Sequence, residues 1–178
     1  MSAKNMLFSG FGGQGILFAG KFIAYKGLIE DKQVSWLPSY GPEMRGGTAS
    51  CSVIVSDTPV GSPIVSNPDI LVAMNLPSLD RFESKVKPGG MIFADSTLIE
   101  RKVERDDVKV FYIPATKLAN DNGTPTLANM VLMGKILKEL NDFGEDSLRA
   151  ALGKVISAKR ADMLEVNLHA MEIGADYE

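Results

Sequence analysis

The chain has 178 residues, of which 45% are hydrophobic and 23% are charged, and its formal net charge is -3. A chain of this length can bury one sizeable core, so we predict a single domain over residues 1–178. The composition excludes an intrinsically disordered chain, and the charge gives no indication of a nucleic-acid partner.

The lengths of the apolar stretches and the character of the first residues indicate whether the protein enters a membrane or is secreted. Gly, Lys or Pro interrupts each apolar stretch before the roughly 20 residues that a membrane helix needs. The opening residues, MSAKN, lead into a strand-like run without the apolar segment of a secretory signal. We therefore expect no membrane segment and a cytoplasmic protein.

The sequence contains one cysteine, Cys51, and one histidine, His169. A lone thiol forms no internal disulfide and cannot hold an iron–sulfur cluster, which usually needs four thiolates. Cys51 has no nearby His or Lys in sequence to activate it, so we interpret it as a small buried strand residue. His169 lies in a polar helical stretch and is interpreted as a solvated surface residue rather than a metal ligand.

Short β-type runs alternate with helical patterns along the chain. This order predicts an α/β fold, a Rossmann-like three-layer sandwich with a mostly parallel sheet and a helical C-terminal part. The predicted strands span residues 6–10, 34–39, 47–57, 69–74, 91–96 and 108–115, with a turn at 58–63 that could form a hairpin with 64–66. The predicted helices are one of about four turns after residue 13, one over 79–86 with Ser78 as N-cap, one behind Thr124 as N-cap and Pro125 as first residue, and two over 146–156 and 159–173.

The stretch Gly10-Phe11-Gly12-Gly13-Gln14-Gly15 matches the pattern G-x-G-x-x-G, with the predicted strand before it and the predicted helix after it. Glycines allow the tight turn and the close approach of a ligand, and the N–H groups at a helix N-terminus suit a phosphate. Gln14 is polar and lies at the crest of the turn, where it could donate to a ligand. A turn that serves only helix–strand packing remains an alternative.

A dinucleotide such as NAD or FAD needs more than this turn. Its ribose is usually bound by an Asp or Glu at the end of the second strand, which here reads LPSY over residues 37–40. Glu30 and Asp31 precede that strand and so lie at its wrong end. The sequence therefore disfavours a dinucleotide.

A second unusual stretch, SYGPEMRGG, follows the second predicted strand over residues 39–47. Its glycines and proline predict an irregular loop, and Glu43 and Arg45 place opposite charges on it. These charges could form a surface ion pair, or Arg45 could bind a phosphate or a partner carboxylate with Glu43 orienting it and Tyr40 lining the cleft. Asp95 and Ser96 end a later strand, where ligand binding and strand-end capping are both open.

Taken together, GFGGQGI, SYGPEMRGG with TASCSVIVSD, and DILVAMN resemble the gamma subunit of 2-oxoacid:ferredoxin oxidoreductases, over about residues 6–140. The resemblance implies a gamma-type domain in an enzyme that oxidatively decarboxylates a 2-oxoacid, makes an acyl-CoA and reduces ferredoxin. It also implies that Gly12, Gly13, Gln14 and Gly15 help to bind coenzyme A, beside Tyr40, Glu43 and Arg45. Overall resemblance favours 2-oxoglutarate over pyruvate and branched-chain 2-oxoacids.

The same resemblance implies a division of labour among subunits. The chain has no G-D-G motif with a downstream Asn for thiamine diphosphate and magnesium, and one cysteine cannot hold a 4Fe-4S cluster. Thiamine diphosphate, Mg and clusters are therefore expected on alpha, beta and, where present, delta subunits, with ferredoxin reached through the complex. The alternatives are a stand-alone CoA- or nucleotide-binding protein and a structural scaffold that binds no ligand.

Overall fold

The computed structural model of the chain describes residues 3–39, 48–142 and 144–178. This part contains six strands, six α-helices and two short 3₁₀-helices, at residues 83–85 and 158–160. The strands are β1 (Lys4–Phe11), β2 (Gln33–Ser39), β3 (Thr48–Ser56), β4 (Ile70–Ala73), β5 (Met91–Asp95) and β6 (Lys109–Ile113). The helices are α1 (Ile16–Ile29), α2 (Leu76–Phe82), α3 (Ala115–Asp121), α4 (Ala128–Glu139), α5 (Glu145–Val155) and α6 (Met163–Asp176).

The strands form one mixed sheet in the order β2-β3-β1-β4-β5-β6. Strands β1, β4, β5 and β6 pair in parallel, whereas β3 pairs antiparallel with both β1 and β2. All strands except β3 therefore run in the same direction, which confirms the predicted α/β fold with a mostly parallel sheet. Pro38 is tolerated because β2 is an edge strand.

Helices cover both faces of the sheet, as expected for a three-layer sandwich. Side chains of β1 alternate between the layers: Met6 and Phe8 pack in the core cluster under α1, α4, α5 and α6, and Leu7 packs in the cluster under α2. The parallel strand β4 is buried on both faces, which explains its continuous apolar run. No helix in the described ranges is long and apolar enough to cross a bilayer.

The prediction that Ser78 caps the helix after β4 was wrong, because that helix starts at Leu76. Asn75 is the N-cap, and its side chain accepts a hydrogen bond of 2.8 Å from the backbone N–H of Ser78. Pro77 fits the first turn, where the missing N–H costs nothing. The Ser78 hydroxyl instead lies 2.8 Å from that of buried Ser9, which links α2 to β1.

The region from residue 108 to 128 also differs from the prediction. The last strand ends at Ile113, and α3 follows it. Thr124 does not cap a helix: the N–H of Leu127 donates to the Thr124 carbonyl at 2.9 Å in a separate turn, and α4 begins at Ala128. Thr124 and Pro125 therefore lie in a turn that precedes α4 and not at the start of the helix. Residues 64–66 form no strand.

Helices α4 and α6 pack at very short range through two glycines. A Cβ atom added to Gly134 would overlap the Met171 carbonyl, and one added to Gly174 would overlap the Val131 carbonyl. Because these neighbours are backbone atoms in buried helices, they cannot move aside independently. The two helices are thus packed backbone to backbone, and their contact closes the core on the α1 side of the sheet.

We expect Gly174→Ala to lower the free energy of unfolding by about 3 kcal/mol, because the added methyl group overpacks this contact. Gly153→Ala is the matched control, since Gly153 is an exposed residue of α5 with open space around its Cβ position. Alanine is the better helix former, so the control should leave stability unchanged or raise it by up to about 1 kcal/mol. Urea unfolding curves measure both values, and equal stability of the two variants would contradict the packing.

Cys51 is buried in β3, which confirms its interpretation as a core residue. Burial raises the pKa of its thiol to about 12, and its Sγ lies 3.5 Å from the carbonyl of Ile16. The thiol therefore stays protonated and covered at neutral pH.

We expect native protein at pH 8 to react with iodoacetamide far more slowly than the same protein unfolded in urea, because both the thiolate and access to it require unfolding. Mass spectrometry counts the single modified thiol. Alkylation of the native chain at the rate of the unfolded chain would contradict the buried position of Cys51.

Candidate functional site

The glycine turn lies between the end of β1 and the start of α1. Gly13 and Gly15 have φ angles of 90° and 74°, which L-residues with side chains rarely adopt. Gly12 and Gly13 are exposed. Gly15 is the N-cap of α1 and has no side chain that could cap the first turn of this helix. The turn therefore presents open backbone and uncapped helix N–H groups, which favour an anion.

The side-chain amide of Gln14 has internal partners on both of its atoms. Its Oε1 accepts a hydrogen bond of 2.6 Å from the N–H of Phe11, and its Nε2 donates to the carbonyl of Met74 at 3.1 Å. Gln14 therefore has a structural role that was not predicted from the sequence. Gln14 holds the shape of the turn and ties it to the end of β4, while its contact with a ligand stays a prediction.

The turn lies where the connections of the sheet change face. The helix that follows β1 packs on one face of the sheet, and the helix that follows β4 packs on the other. Because β1 and β4 are adjacent, their carboxyl ends diverge into helices on opposite sides and leave a crevice between them. Ligands of open α/β sheets bind at such a point, and Gln14 spans it here.

The position of β2 counts further against a dinucleotide. In dinucleotide-binding folds the second strand lies beside the first, but here β3 separates β2 from β1. Glu30 pairs with the buried ammonium of Lys26 at 2.5 Å. Asp31 lies in the turn after α1 with a φ angle of 58°. Neither carboxylate is placed beside the glycine turn.

Tyr40, Glu43 and Arg45 lie outside the described residues, so their predicted role remains a prediction. The strands on either side of them are described. Thr48, the first residue of β3, pairs with Phe11 at the end of β1. β3 therefore begins beside the glycine turn.

Asp95 and Ser96, the other candidates at a strand end, have structural partners. Asp95 is fully buried, and its carboxylate accepts hydrogen bonds from the N–H of Thr97 at 3.1 Å and from the hydroxyl and N–H of Thr116 at 2.5 and 3.2 Å. The backbone N–H of Ser96 donates to Ile113 at 2.9 Å. Capping of the turn and of α3 therefore explains this pair.

A cavity of about 400 Å³, which was not predicted from the sequence, opens beside Gly15. Its polar lining includes Asn129, Asn167 and Arg160. The Nδ2 of Asn129 donates to the carbonyl of Gly15 at 3.1 Å, so α4 also positions the glycine turn. An asparagine within each of the apolar runs of α4 and α6 is the one sequence signal that could have drawn attention to this place.

His169, the one histidine of the sequence, lies at the protein surface. His169 is 60% exposed and its Nδ1 lies 3.6 Å from Glu172, in keeping with a surface residue. Over the described ranges, no group of three or more His, Cys, Asp or Glu side chains is arranged to hold a metal ion.

Comparison with known proteins gives a family match over almost the whole chain. Residues 5–177 match the family model described as pyruvate ferredoxin/flavodoxin oxidoreductase. Ketoisovalerate oxidoreductase subunit VorA of Methanothermobacter thermautotrophicus is 41% identical over 170 residues, which are 95% of this chain and 35% of that protein. The 2-oxoglutarate synthase subunit KorC of Methanocaldococcus jannaschii is 35% identical over 152 residues, with 84% and 81% of the two chains covered.

Similar solved structures also belong to 2-oxoacid oxidoreductases. The keto/oxoacid ferredoxin oxidoreductase gamma subunit of Geobacter sulfurreducens is 28% identical, with a TM-score of 0.80 and coverage of 96% of this chain and 95% of that chain. The 2-oxoglutarate:ferredoxin oxidoreductase of Magnetococcus marinus, with 2-oxoglutarate, coenzyme A and succinyl-CoA bound, is 25% identical, with a TM-score of 0.87 and coverage of 98% and 31%.

The chain thus spans about a third of the VorA relatives and most of the KorC protein and of the Geobacter gamma subunit. The family match, the relatives and the sheet with its glycine turn agree over the same residues. This chain belongs to the pyruvate ferredoxin/flavodoxin oxidoreductase family.

Proposed function

We propose that the chain is the gamma subunit of a multisubunit 2-oxoacid:ferredoxin oxidoreductase, which converts a 2-oxoacid to an acyl-CoA and reduces ferredoxin. The family match over residues 5–177 carries this proposal. It is supported by two relatives that are themselves named as subunits and that this chain covers along most of their length. The chain forms one part of the assembly, and the other parts come from partner chains.

The residues of this chain do not fit the electron-carrying groups of such an enzyme. Its one cysteine is buried in the core, so no cluster can be held by cysteine thiolates of this chain. Thiamine diphosphate, Mg and 4Fe-4S clusters are therefore assigned to alpha, beta and, where present, delta subunits. We place this complex in the cytoplasm, with ferredoxin as its electron acceptor.

The part of the reaction that suits this chain is the binding of coenzyme A, which supplies the thiol that accepts the acyl group. The exposed backbone of Gly12 and Gly13 and the uncapped N-terminus of α1 favour its diphosphate. Gln14 holds the turn open between β1 and β4. The related Magnetococcus enzyme has coenzyme A bound, which is consistent with this assignment.

Two 2-oxoacids are candidates for the substrate. Relatives named as 2-oxoglutarate synthase subunits match this chain along most of their length, which supports 2-oxoglutarate. The VorA relative is 41% identical and is named for ketoisovalerate, which supports a branched-chain 2-oxoacid as the second candidate. A stand-alone CoA- or nucleotide-binding protein is less favoured, because the relatives are named as subunits.

We expect anaerobic affinity purification of this chain from its native cells to recover larger subunits, bound thiamine diphosphate and iron. The recovered complex should reduce a low-potential dye only when both a 2-oxoacid and coenzyme A are added. Comparison of the rates with 2-oxoglutarate and ketoisovalerate then identifies the substrate. Recovery of the chain alone, without 2-oxoacid-dependent activity, would contradict the proposed function.

We expect Gln14→Ala to raise the KM for coenzyme A in the assembled enzyme by roughly thirtyfold, because two hydrogen bonds of about 1 kcal/mol each no longer hold the turn. The KM for the 2-oxoacid should stay unchanged. Gln33→Ala is the matched control, since Gln33 is an exposed residue at the start of the edge strand β2, at the end of the sheet away from the glycine turn. An unchanged KM for coenzyme A in Gln14→Ala would show that the glycine turn is not part of the coenzyme A site.

A further inference from the structure

One half of the sheet face opposite α1 lies outside the cover of α2. On that face the apolar cluster under α2 contains residues of β1, β4, β5 and β6 and, in the described part of the chain, none of β2 or β3. Trp36 of β2 and Cys51 and Val53 of β3 pack towards α1, so the residues that alternate with them lie on the opposite side. These two strands therefore present an uncovered sheet surface beside α2.

A groove of about 590 Å³ lies between this surface and α2, and we call it the α2–β2 groove; its lining includes Leu7, Leu37, Ser52, Ile64, Arg81 and Lys85. Across its floor Leu37 pairs with Ser52 in the next strand, and Ser52 pairs with Leu7. Leu37 and Ile64 are 39% and 66% exposed. A solvated sheet face explains the serine, but it does not explain two large exposed apolar side chains in one groove.

The wall of the groove on the side of α2 is cationic. Arg81 and Lys85 are both exposed, and their charged groups lie 5.2 and 5.4 Å from the centroid of the Phe82 ring. Such contacts with the face of an aromatic ring hold a cation in place without neutralising it. The two charges are therefore positioned along the groove and remain available to an anion.

No carboxylate pairs with these two cations within the described ranges. Asp80 and Glu83 alternate with them in the sequence, but both of these acids pair with Arg101 at 2.7 Å. The described lining of the groove contains no Asp or Glu. The α2–β2 groove is thus a local cationic surface on a chain whose net charge is -3, and a complementary surface carries carboxylates.

The relatives indicate what lies beside such a domain. The matched region makes up 35% of the VorA protein of Methanothermobacter thermautotrophicus and 31% of the Magnetococcus chain. About two-thirds of each polypeptide therefore lies outside the region that resembles this chain. In those proteins the matched domain has a large neighbouring unit, which contacts some part of its surface.

We propose that the α2–β2 groove docks a partner subunit of the oxidoreductase, through a segment that carries an apolar side chain and neighbouring carboxylates. The apolar side chain packs on Leu37 and Ile64, and the carboxylates pair with Arg81 and Lys85. This inference rests on the proposed function for its choice of partner.

Carbodiimide cross-linking of the purified complex tests the docking directly, because this reagent joins a lysine amine to a carboxylate in contact with it. We expect Lys85 to be joined to an Asp or Glu of a larger subunit, and mass spectrometry identifies both residues. Absence of a link from Lys85 to a larger subunit overturns the proposal. A link from Lys85 only to another copy of this chain also overturns it, because the occupant is then a second copy.

Charge reversal provides a second measurement on the same complex. Arg81→Glu with Lys85→Glu should lower the amount of larger subunit recovered per copy of this chain at least tenfold at about 0.15 M salt, because two attractive contacts become repulsive. Equal recovery with the wild type and this double variant overturns the proposal. Circular dichroism of the variant separates a loss of docking from a loss of folding.

The matched control is Lys154→Glu with Lys159→Glu. Both lysines are exposed and lie at α5 and the 3₁₀-helix after it, on the other side of the sheet, so the change of charge is the same and the groove is untouched. Recovery of the larger subunit should stay at the wild-type level. An equal loss in the control shows an effect of net charge alone and overturns the assignment to the groove.

Failure of this inference and failure of the proposed function give different results. An active oxidoreductase recovered with Arg81→Glu and Lys85→Glu in the wild-type amount overturns the docking surface and leaves the function intact. Recovery of the wild type without a larger subunit overturns both. A link from Lys85 to a larger subunit that lacks 2-oxoacid-dependent activity supports the docking surface and contradicts the function.

Discussion

The amide of Gln14 joins the two central strands of the sheet at the place where their connections separate. One hydrogen bond fixes the turn on itself at Phe11, and the other reaches Met74 at the end of β4. Without this bridge, four glycines in six residues would leave the loop with many accessible conformations. The bridge therefore converts a flexible segment into a shaped backbone surface at the start of α1.

The second support of the turn comes from the far end of the sequence. Asn129 of α4 bonds to the carbonyl of Gly15, and α4 is held against α6 through Gly134 and Gly174. The helical C-terminal part therefore does more than cover the sheet. It positions the glycine turn through the bond to Gly15, and its residues form much of the lining of the cavity beside the turn.

Local signals in the sequence were sufficient for most elements. The glycine turn, α1, the buried strands and the last two helices were predicted because each has its own periodicity or turn chemistry. The antiparallel insertion of β3 between β1 and β2 was not predicted, because strand pairing depends on distant residues. Thr124 with Pro125 is a good helix start by local chemistry, but the residues form a turn that leads into α4.

In the candidate site, too, local features were predicted and long-range contacts were not. The glycines and their resemblance to a family were recognised from the sequence. The contacts of Gln14 with Met74 and of Asn129 with Gly15 were not, because these residues are 60 and 114 positions apart. Only the folded chain brings Asn129, Asn167 and Arg160 to one cavity. The spacing of residues in a sequence does not reveal which distant polar side chains stabilise a turn.

We propose above that this chain contributes the backbone that binds coenzyme A in its oxidoreductase. Hydrogen–deuterium exchange of the purified complex, with and without coenzyme A, tests it directly. We expect coenzyme A to slow exchange in the peptide that contains residues 12–18 and to leave exchange in the edge strand β2 unchanged. If residues 12–18 exchanged at the same rate with and without saturating coenzyme A, this chain would not bind coenzyme A through the glycine turn.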